Sequence, residues 1–450
     1  MRLAQSKVHF IGIGGIGMCG LAELLHNMGA EVSGSDLSEN KQVKYLKELG
    51  VKVFIGQEAA QVIDQDVVVY SSAIPNSNPE LQQAKKLGIP LIPRAEALAE
   101  MMRFRRGIAV GGTHGKTTTT SLLASLFLQA GLDPTAVVGG RLDLFKSTAK
   151  LGSGEWFIAE ADESDGSFHK LSPENVIITN IDNDHLDHYQ SFENIQKAFY
   201  EFALKIPFYG TAILYGDDPL IRKVFEAFPK RKLFYGFQED NDYRVAKEGS
   251  TGEIYFQGQK IAHMEFPMPG KHNALNALAS FIAGQVAGLT VDQCVSGLEG
   301  FQGVDRRFQK KFDTNNVLIY DDYGHHPTEV KAVLQAAQER FPERRKVVVF
   351  QPHRYSRTRD CFEEFTQSFS EADVLVLLDI YPAGEQELPG ISSRHLGERI
   401  HGTKVNYVGS FSDALNFLEK NLKDNDFLLT LGAGDVWKLG EQIHEVLYAQ

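Results

Sequence analysis

The apolar positions of this chain fall into short runs separated by polar, glycine-bearing turns. KVHFIGIGG, EVSGSD, VKVFIG and DVVVYSSAI each gather apolar or β-branched residues over a few positions and stop at glycine, serine or aspartate. Between the first two, LAELLHNMG repeats its apolar residues at the three- and four-residue spacing of a helix face. Strand, helix, strand in alternation predicts βαβ units and a parallel sheet. This first block ends near AEALAEMMRFRR, a predicted helix followed by a basic hinge.

A second block opens with GIAVGGTHGKTTTTSLLASLFLQAG, a buried strand, a turn and an apolar helix. It continues through WFIAEADESD and NVIITNIDNDHLDHY and closes around GVDRRF. The third opens with VLIYDDYGHHPTEV, and its runs KVVVFQPHR, DVLVLLDIYPAGE and FLLTLGAGDVW each end in a polar or glycine-rich turn. The expected divisions are residues 1–105, 106–308 and 309–450. The fold class is α/β throughout. Open sheets of this kind place ligands at the carboxyl ends of their strands, and the chemically interesting residues of all three blocks sit there.

Composition adds limits. A chain of 450 residues exceeds one ordinary core, and 43% hydrophobic with 23% charged residues is that of a folded globular protein. A formal charge of −12 argues against a nucleic-acid or anionic-membrane binder, which needs a basic face. No apolar run approaches the ~18 residues that cross a bilayer, and the opening MRLAQSKVHFIGIGG has no secretion pattern. Cys19, Cys294 and Cys361 are few and far apart, as expected of reduced packing thiols in a cytoplasmic protein.

GIGGIG sets Gly12, Gly14 and Gly17, with Gly15 between, in a dinucleotide-type turn, and Asp36 closes the next strand. Small residues and a helix N-terminus suit a diphosphate; NAD, FAD and a UDP-sugar all offer one with a ribose. Ser71, Ser72 and Ala73 end another strand and are placed to line the same crevice. In the second block, VGGTHGKTTTT carries Val110 where a strict phosphate loop has glycine. Strand, glycine turn and helix start still converge N–H donors, with Lys116 placed for outer phosphates and Thr117 for Mg²⁺. Four acids follow the next strand, Glu160, Asp162, Glu163 and Asp165. Glu160, nearest the strand, is the first choice for the metal, and the others read as a solvated turn. Asn180, His185 and His188 end a further strand, where one histidine could bind a second ion.

GTHGKTTT, EADESD, TNIDNDHLDHY, GKHNALNALA, GVDRRF, DDYGHHPTEV and QPHRYSRTRD together resemble the Mur ligases, over nearly the whole chain. The resemblance implies an N-terminal Rossmann-like UDP-binding domain, a central P-loop ATPase-type α/β domain and a C-terminal Rossmann-like domain. It implies that Gly12, Gly14, Gly15, Gly17, Asp36, Ser71 and Ser72 bind a UDP-sugar. ATP would be lined by Gly112, Thr113, His114, Gly115, Lys116, Thr117 and Thr118, with His272, Asn273 and Asn276 bordering the adenine beside Arg306 or Arg307. Two Mg²⁺ ions would be shared by Thr117, Glu160 and His185. Tyr323, His325, His353, Arg354 and Arg357 would meet the amino acid, an arginine fork suiting its carboxylate. Lys116, Glu160, His185, Asp322, His325, His326 and Arg354 form the implied catalytic set, with His325 or His326 as candidate proton acceptor. Arg359 is a further candidate, for which a surface charge on a helix start is the lesser reading.

The activity implied is ATP-dependent joining of L-alanine to the carboxylate of UDP-N-acetylmuramate through an acyl phosphate, in a monomer or weak homodimer. A family member adding a tripeptide or another small amino acid is the alternative, since one methyl group is discriminated by pocket shape and not by motif.

Overall fold

The computed structural model describes residues 4–71, 73–142, 147–164, 166–184 and 186–448. The chain forms a three-domain α/β fold with three sheets, and it gathers into two compact units. One comprises Met1–Pro267 with Leu275–Gln302 and carries the first two sheets; the other comprises Met268–Ala274 with Gly303–Gln450 and carries the third. The unit of the third sheet therefore also takes in residues 268–274 and 303–308, which the sequence reading gave to the central block.

The first sheet has five parallel strands in the order Lys52–Ile55, Glu31–Asp36, Lys7–Ile11, Val67–Tyr70, Leu91–Pro93. Lys7–Ile11 leads through the helix Ile16–Asn27 to Glu31–Asp36, the βαβ unit read from the periodicity. Strand order reverses between Lys7–Ile11 and Val67–Tyr70, and a crevice opens where their chains leave the sheet in opposite directions. The helix Pro79–Leu87 starts on Asn78, whose side chain accepts from the N–H groups of Glu80 and Leu81, with Pro79 at its first position. It ends at Gly88 in the left-handed region (φ 69°). His9 and Glu80, both fully buried, pair at 2.8 Å, and Ser35 Oγ donates to Glu80 at 2.5 Å. This satisfies a carboxylate that would otherwise be buried without a partner.

The second sheet has ten strands, with Arg106–Gly111 between Asn175–Ile178 and Trp156–Glu160. Ile108, Ala109 and Val110 have no exposed surface, as expected of a parallel strand covered on both faces. The apolar helix Lys116–Gln129 follows it, with Phe127 edge-on to buried Trp156 at 5.5 Å. The basic hinge expected after AEALAEMMRFRR is a short turn leading straight into this sheet. Arg106 pairs with Glu174 at 2.6 Å and lies 4.1 Å over the Trp156 ring. Tyr243–Glu248, Thr251–Phe256 and Gln259–Glu265 form an antiparallel extension that the βα rhythm did not announce.

The third sheet runs Gln309–Thr314, Val317–Asp322, Asp426–Leu431, Arg345–Phe350, Val374–Leu378, Lys404–Gly409, parallel except for its first edge strand. Separate apolar clusters cover its two faces, one around Leu334, Phe350 and Phe365, the other around Val349, Leu418 and Ile443. The chain leaves Phe350 toward the first face and Leu431 toward the second, so this sheet has a crevice of its own between those strand ends.

Candidate functional site

In the first sheet the glycine turn and Ser71 meet as expected: Ser71 Cβ and the Ile74 side chain lie against Gly12. Asp36 is tied inward, accepting from Gly14 N–H at 2.9 Å and Ser38 N–H at 3.1 Å, so it shapes the turn. Arg94, which sequence reasoning passed over, packs its guanidinium on Gly17 and lies 3.7 Å from Asp162. It therefore stands between the diphosphate-type turn and the acids of EADESD. Ser72 lies outside the described residues.

The loop 112–115 is held by the next strand's end. His114 N–H donates to Asn180 Oδ1 at 2.8 Å, Thr179 Oγ1 and Asn180 Nδ2 donate to His114 O at 2.6 and 2.9 Å, and Asp182 N–H donates to Thr113 Oγ1 at 2.9 Å. His114 Nε2 is 3.2 Å from Asp182 Oδ2. Gly112 has φ 135°, and a Cβ there would stand 2.0 Å from Thr179 Oγ1, so only glycine fits. The turn delivers the chain to the helix start at Lys116, with Thr117 and Thr118 buried in its first turn. Asn276 Oδ1 reaches Gly115 from the helix Lys271–Val286.

Lys116 Nζ donates to Gly112 O at 2.6 Å, Thr113 O at 3.0 Å and Glu163 Oε1 at 2.7 Å. Burial works against its charge, but Glu163, Glu160 and Asp162 together raise its pKa above the ordinary lysine value. Glu163, expected as a solvated acid, is 2% exposed. Burial pushes its carboxyl up to about 7 despite Lys116. Glu160 ends its strand as predicted, accepting from Thr117 Oγ1 at 3.1 Å and from Gly139 N–H at 2.8 Å. The Gly139 contact is a backbone donor that side-chain motifs could not reveal. The neighbouring Thr117 hydroxyl and Glu160 carboxylate are hard oxygen donors of the kind Mg²⁺ takes. His185 and Asp165 lie outside the described residues; His188 is exposed, with Nε2 close to Gly166.

The third sheet gathers a second set at the carboxyl ends of its strands. Asp322 accepts from the N–H groups of Phe308 and Gly324, both at 2.7 Å, and burial pushes it up to about 6. The ring of His325 stands edge-on to Tyr323 at 5.4 Å and lies 5.7 Å from that of His353. Burial pushes His325 down to about 3 and His353 to about 4, so both are neutral imidazoles at pH 7. A base that weak is poorly matched to taking a proton near neutrality. His326 caps the helix Pro327–Arg340 through its side chain, with Glu329 completing a capping box, and faces Cys361 Sγ at 3.6 Å. His326 thus has structural work in this fold.

Arg306, expected beside a nucleotide, is engaged elsewhere: its guanidinium donates to Asp321 at 3.0 Å, Gly432 O at 2.6 Å and Gly434 O at 3.2 Å. Arg307 lies over the Tyr323 ring at 5.3 Å. His272 is pushed down to about 4 by burial, and Asn273 donates to Pro269 O at 2.7 Å. Arg354 has φ 70° and ψ 138°, a strained backbone for a non-glycine residue, and its N–H donates to Tyr381 O at 2.9 Å. Tyr381 itself, missed in the sequence, stacks on His353 with centroids 5.5 Å apart. Arg357 sits one helical turn on, whereas Arg359 pairs with its neighbour Asp360 at the surface.

A phosphate-type loop in one open α/β sheet, with further such sheets before and after it in the chain, defines a three-domain nucleotide-dependent ligase. Family models agree domain by domain: Mur ligase catalytic domain over residues 7–106, middle domain over 110–284, and the glutamate ligase domain over 306–434. The chain belongs to the Mur ligase family. Among its relatives, the UDP-N-acetylmuramate–L-alanine ligase of Bdellovibrio bacteriovorus is 57% identical, with 98% of this chain and 99% of that protein covered. The enzyme of the same name from Geotalea daltonii is 47% identical, with 98% of each covered. The crystal structure of the UDP-N-acetylmuramate–alanine ligase of Thermotoga maritima superposes with a TM-score of 0.84 at 27% identity, covering 98% of this chain and 99% of that one. No described helix is long and apolar enough to cross a membrane.

Proposed function

We propose that this chain joins L-alanine to UDP-N-acetylmuramate at the expense of ATP, an early amide bond of peptidoglycan precursor synthesis. The observation that carries the chemistry is the convergence of Lys116, Thr117 and Glu160 where the strand Arg106–Gly111 gives way to a helix. We assign residues 1–105 to the UDP-sugar, 106–308 to ATP and 309–450 to the amino acid together with ATP, and place the enzyme in the cytoplasm as a monomer or weak homodimer.

A carboxylate resists an amine because its leaving group would be oxide. The sugar's carboxylate oxygen attacks the γ-phosphorus, the bond to ADP breaks, and an acyl phosphate forms. The alanine nitrogen, unprotonated, attacks the acyl carbon, and the tetrahedral intermediate expels phosphate as the amine loses a proton. Two anions must approach in the first step, so the task is electrostatic. In our assignment the Lys116 ammonium meets the outer phosphate oxygens and the helix N-terminus supplies N–H donors. Thr117 and Glu160 would hold one Mg²⁺, and Glu160 with His185 a second; when bound, such ions would neutralise phosphate charge. Gly139 N–H orients the Glu160 carboxylate for that work. Gly12, Gly14, Gly15, Gly17 and Ser71 receive the diphosphate, with Arg94 as a further cation beside Gly17. Asn276 borders the nucleotide, and Arg307 is assigned there in place of Arg306.

In the third sheet, Arg354 and Arg357 present forks to the alanine carboxylate. The neutral rings of His325 and His353, with Tyr323 and Tyr381, form a pocket wall of hydrogen-bonding aromatics. Asp322 acts by fixing the turns at Phe308 and Gly324. The test is phosphate release with UDP-N-acetylmuramate, ATP and Mg²⁺, screened over single amino acids and peptides. Release that depends on L-alanine supports the proposal; release that depends on a tripeptide, glycine or serine assigns the chain to another specificity, and release needing no acceptor refutes a ligase.

A further inference from the structure

We propose that Glu163 competes with the outer phosphates of the nucleotide for the Lys116 ammonium and so sets how tightly ATP binds. This inference rests on the reading of residues 112–117 as the ATP loop.

An ammonium has three protons, and all three of Lys116 have acceptors: Gly112 O, Thr113 O and Glu163 Oε1. A phosphate oxygen can take one only if an acceptor lets go. The two carbonyls belong to the loop backbone, which Thr179, Asn180 and Asp182 stitch in place. Glu163 is the acceptor held by rotatable bonds. Its own backbone is pinned, since Tyr189 Oη and Gly166 N–H both donate to Glu163 O, at 2.6 and 2.9 Å. The side chain is therefore the part that moves.

Charge points the same way. Glu163 and Lys116 form a buried pair, with side chains 3% and 14% exposed, so their attraction is little screened. A triphosphate arriving beside that carboxylate meets a like charge in the same low-dielectric space. The conflict ends when Glu163 swings away or takes a proton. The charged groups acting on it are Lys116 from the helix start and Asp162 from its own turn, with Glu160 acting on Lys116. Burial already lifts Glu163 to about 7, which puts its neutral form within reach at physiological pH.

The test uses the full chain. Affinity for a non-hydrolysable ATP analogue with Mg²⁺, and KM and kcat for ATP, are measured from about pH 6 to about pH 8 for the wild type, Glu163→Gln and Glu163→Asp. Glu163→Gln keeps an acceptor but drops the charge. It is expected to tighten analogue binding and lower KM for ATP by about fivefold near pH 8, with kcat changing less. The gap should shrink toward pH 6, where the wild-type carboxyl is also neutral. Unchanged or weaker analogue binding in a normally folded Glu163→Gln protein overturns the inference, as does a gap that ignores pH.

If Glu163→Gln does not fold, the wild type still decides. Its affinity must fall between pH 6 and 8, against the rise that deprotonation of the analogue's own phosphate produces, and an affinity that simply follows that titration overturns the inference. Glu163→Asp, whose carboxylate reaches less far, is expected to fall between wild type and Gln. Lys116→Ala separates the two readings. Undiminished analogue binding there removes the ATP loop itself, whereas lost binding there with an unaltered Glu163→Gln removes only the competition.

Discussion

Replacing Lys116 by alanine removes the one cation of the phosphate loop, and its consequences divide between chemistry and folding. The ammonium makes three hydrogen bonds at 2.6–3.0 Å, one of them to a carboxylate. A donor of this kind, aimed at charge that develops in the transition state, is worth about 10²–10³ in rate, or ~2.7–4 kcal/mol. Because Lys116 is charged and meets the triphosphate in the ground state too, a further charge-assisted bond of ~1.5–3 kcal/mol is lost from binding. The expected fall in kcat/KM for ATP is therefore about 10³ or more. The fold loses less. Glu163 is left buried without its cation, but a carboxyl already near 7 takes up a proton, which limits the penalty to about 1–3 kcal/mol. The assay is L-alanine-dependent phosphate release, alongside a thermal melt and calorimetric binding of UDP-N-acetylmuramate, which should be nearly unchanged. Turnover within about tenfold of wild type would refute the electrostatic role of the loop.

Glu160→Gln should raise the Mg²⁺ concentration for half-maximal activity about tenfold or more, and an unshifted magnesium titration would remove Glu160 from the metal site. Gly434→Ala puts a Cβ 2.4 Å from Gln351 Oε1 and 2.8 Å from Tyr381 Cγ. It should cost about 1–3 kcal/mol by overpacking, read as a lower melting temperature, and weaken alanine use by displacing Tyr381 from His353. His272, His325 and His353 have folded pKa values of about 4, 3 and 4, below the unfolded value near 6.5. The unfolded chain thus binds more protons below 6.5, and stability must fall as pH drops from there toward 4, by about 1.4 kcal/mol per pH unit per histidine. Asp322, raised to about 6, and Glu163, raised to about 7, each oppose this with one proton over part of that range, which leaves the three histidines ahead by about one proton. Melts across that range should show the decline, and His325→Gln should remove about one histidine's share of the slope.

The βα rhythm, the phosphate loop and Glu160 were legible because each is a local pattern: a strand length, a glycine turn, an acid at a strand end. Motifs long enough to be specific gave the family. What stayed hidden depends on contacts between distant segments. EADESD reads as four similar acids. The fold buries Glu163 against Lys116, 47 residues away, and leaves Glu160 facing Thr117 and Gly139. Arg306 and Arg307 are adjacent and chemically equal in the sequence. Only the arrival of Asp321 and the carbonyls of Gly432 and Gly434 around one of them makes it a structural clamp. DDYGHHPTEV offers two histidines as bases, and neither suits that role once placed. Burial makes the first a weak base, and the second caps a helix. The antiparallel strands 243–265 went unread because an edge extension alternates too irregularly to stand out from loops.

By itself the sequence determined which chemical groups this protein owns and the order in which strands and helices present them, since propensity, periodicity and turn chemistry act between near neighbours. The tertiary structure decided which of those groups are charged, which are held, and which face one another. Desolvation and hydrogen-bond saturation belong to the assembled surroundings of an atom, and residues remote along the chain supply most of those surroundings.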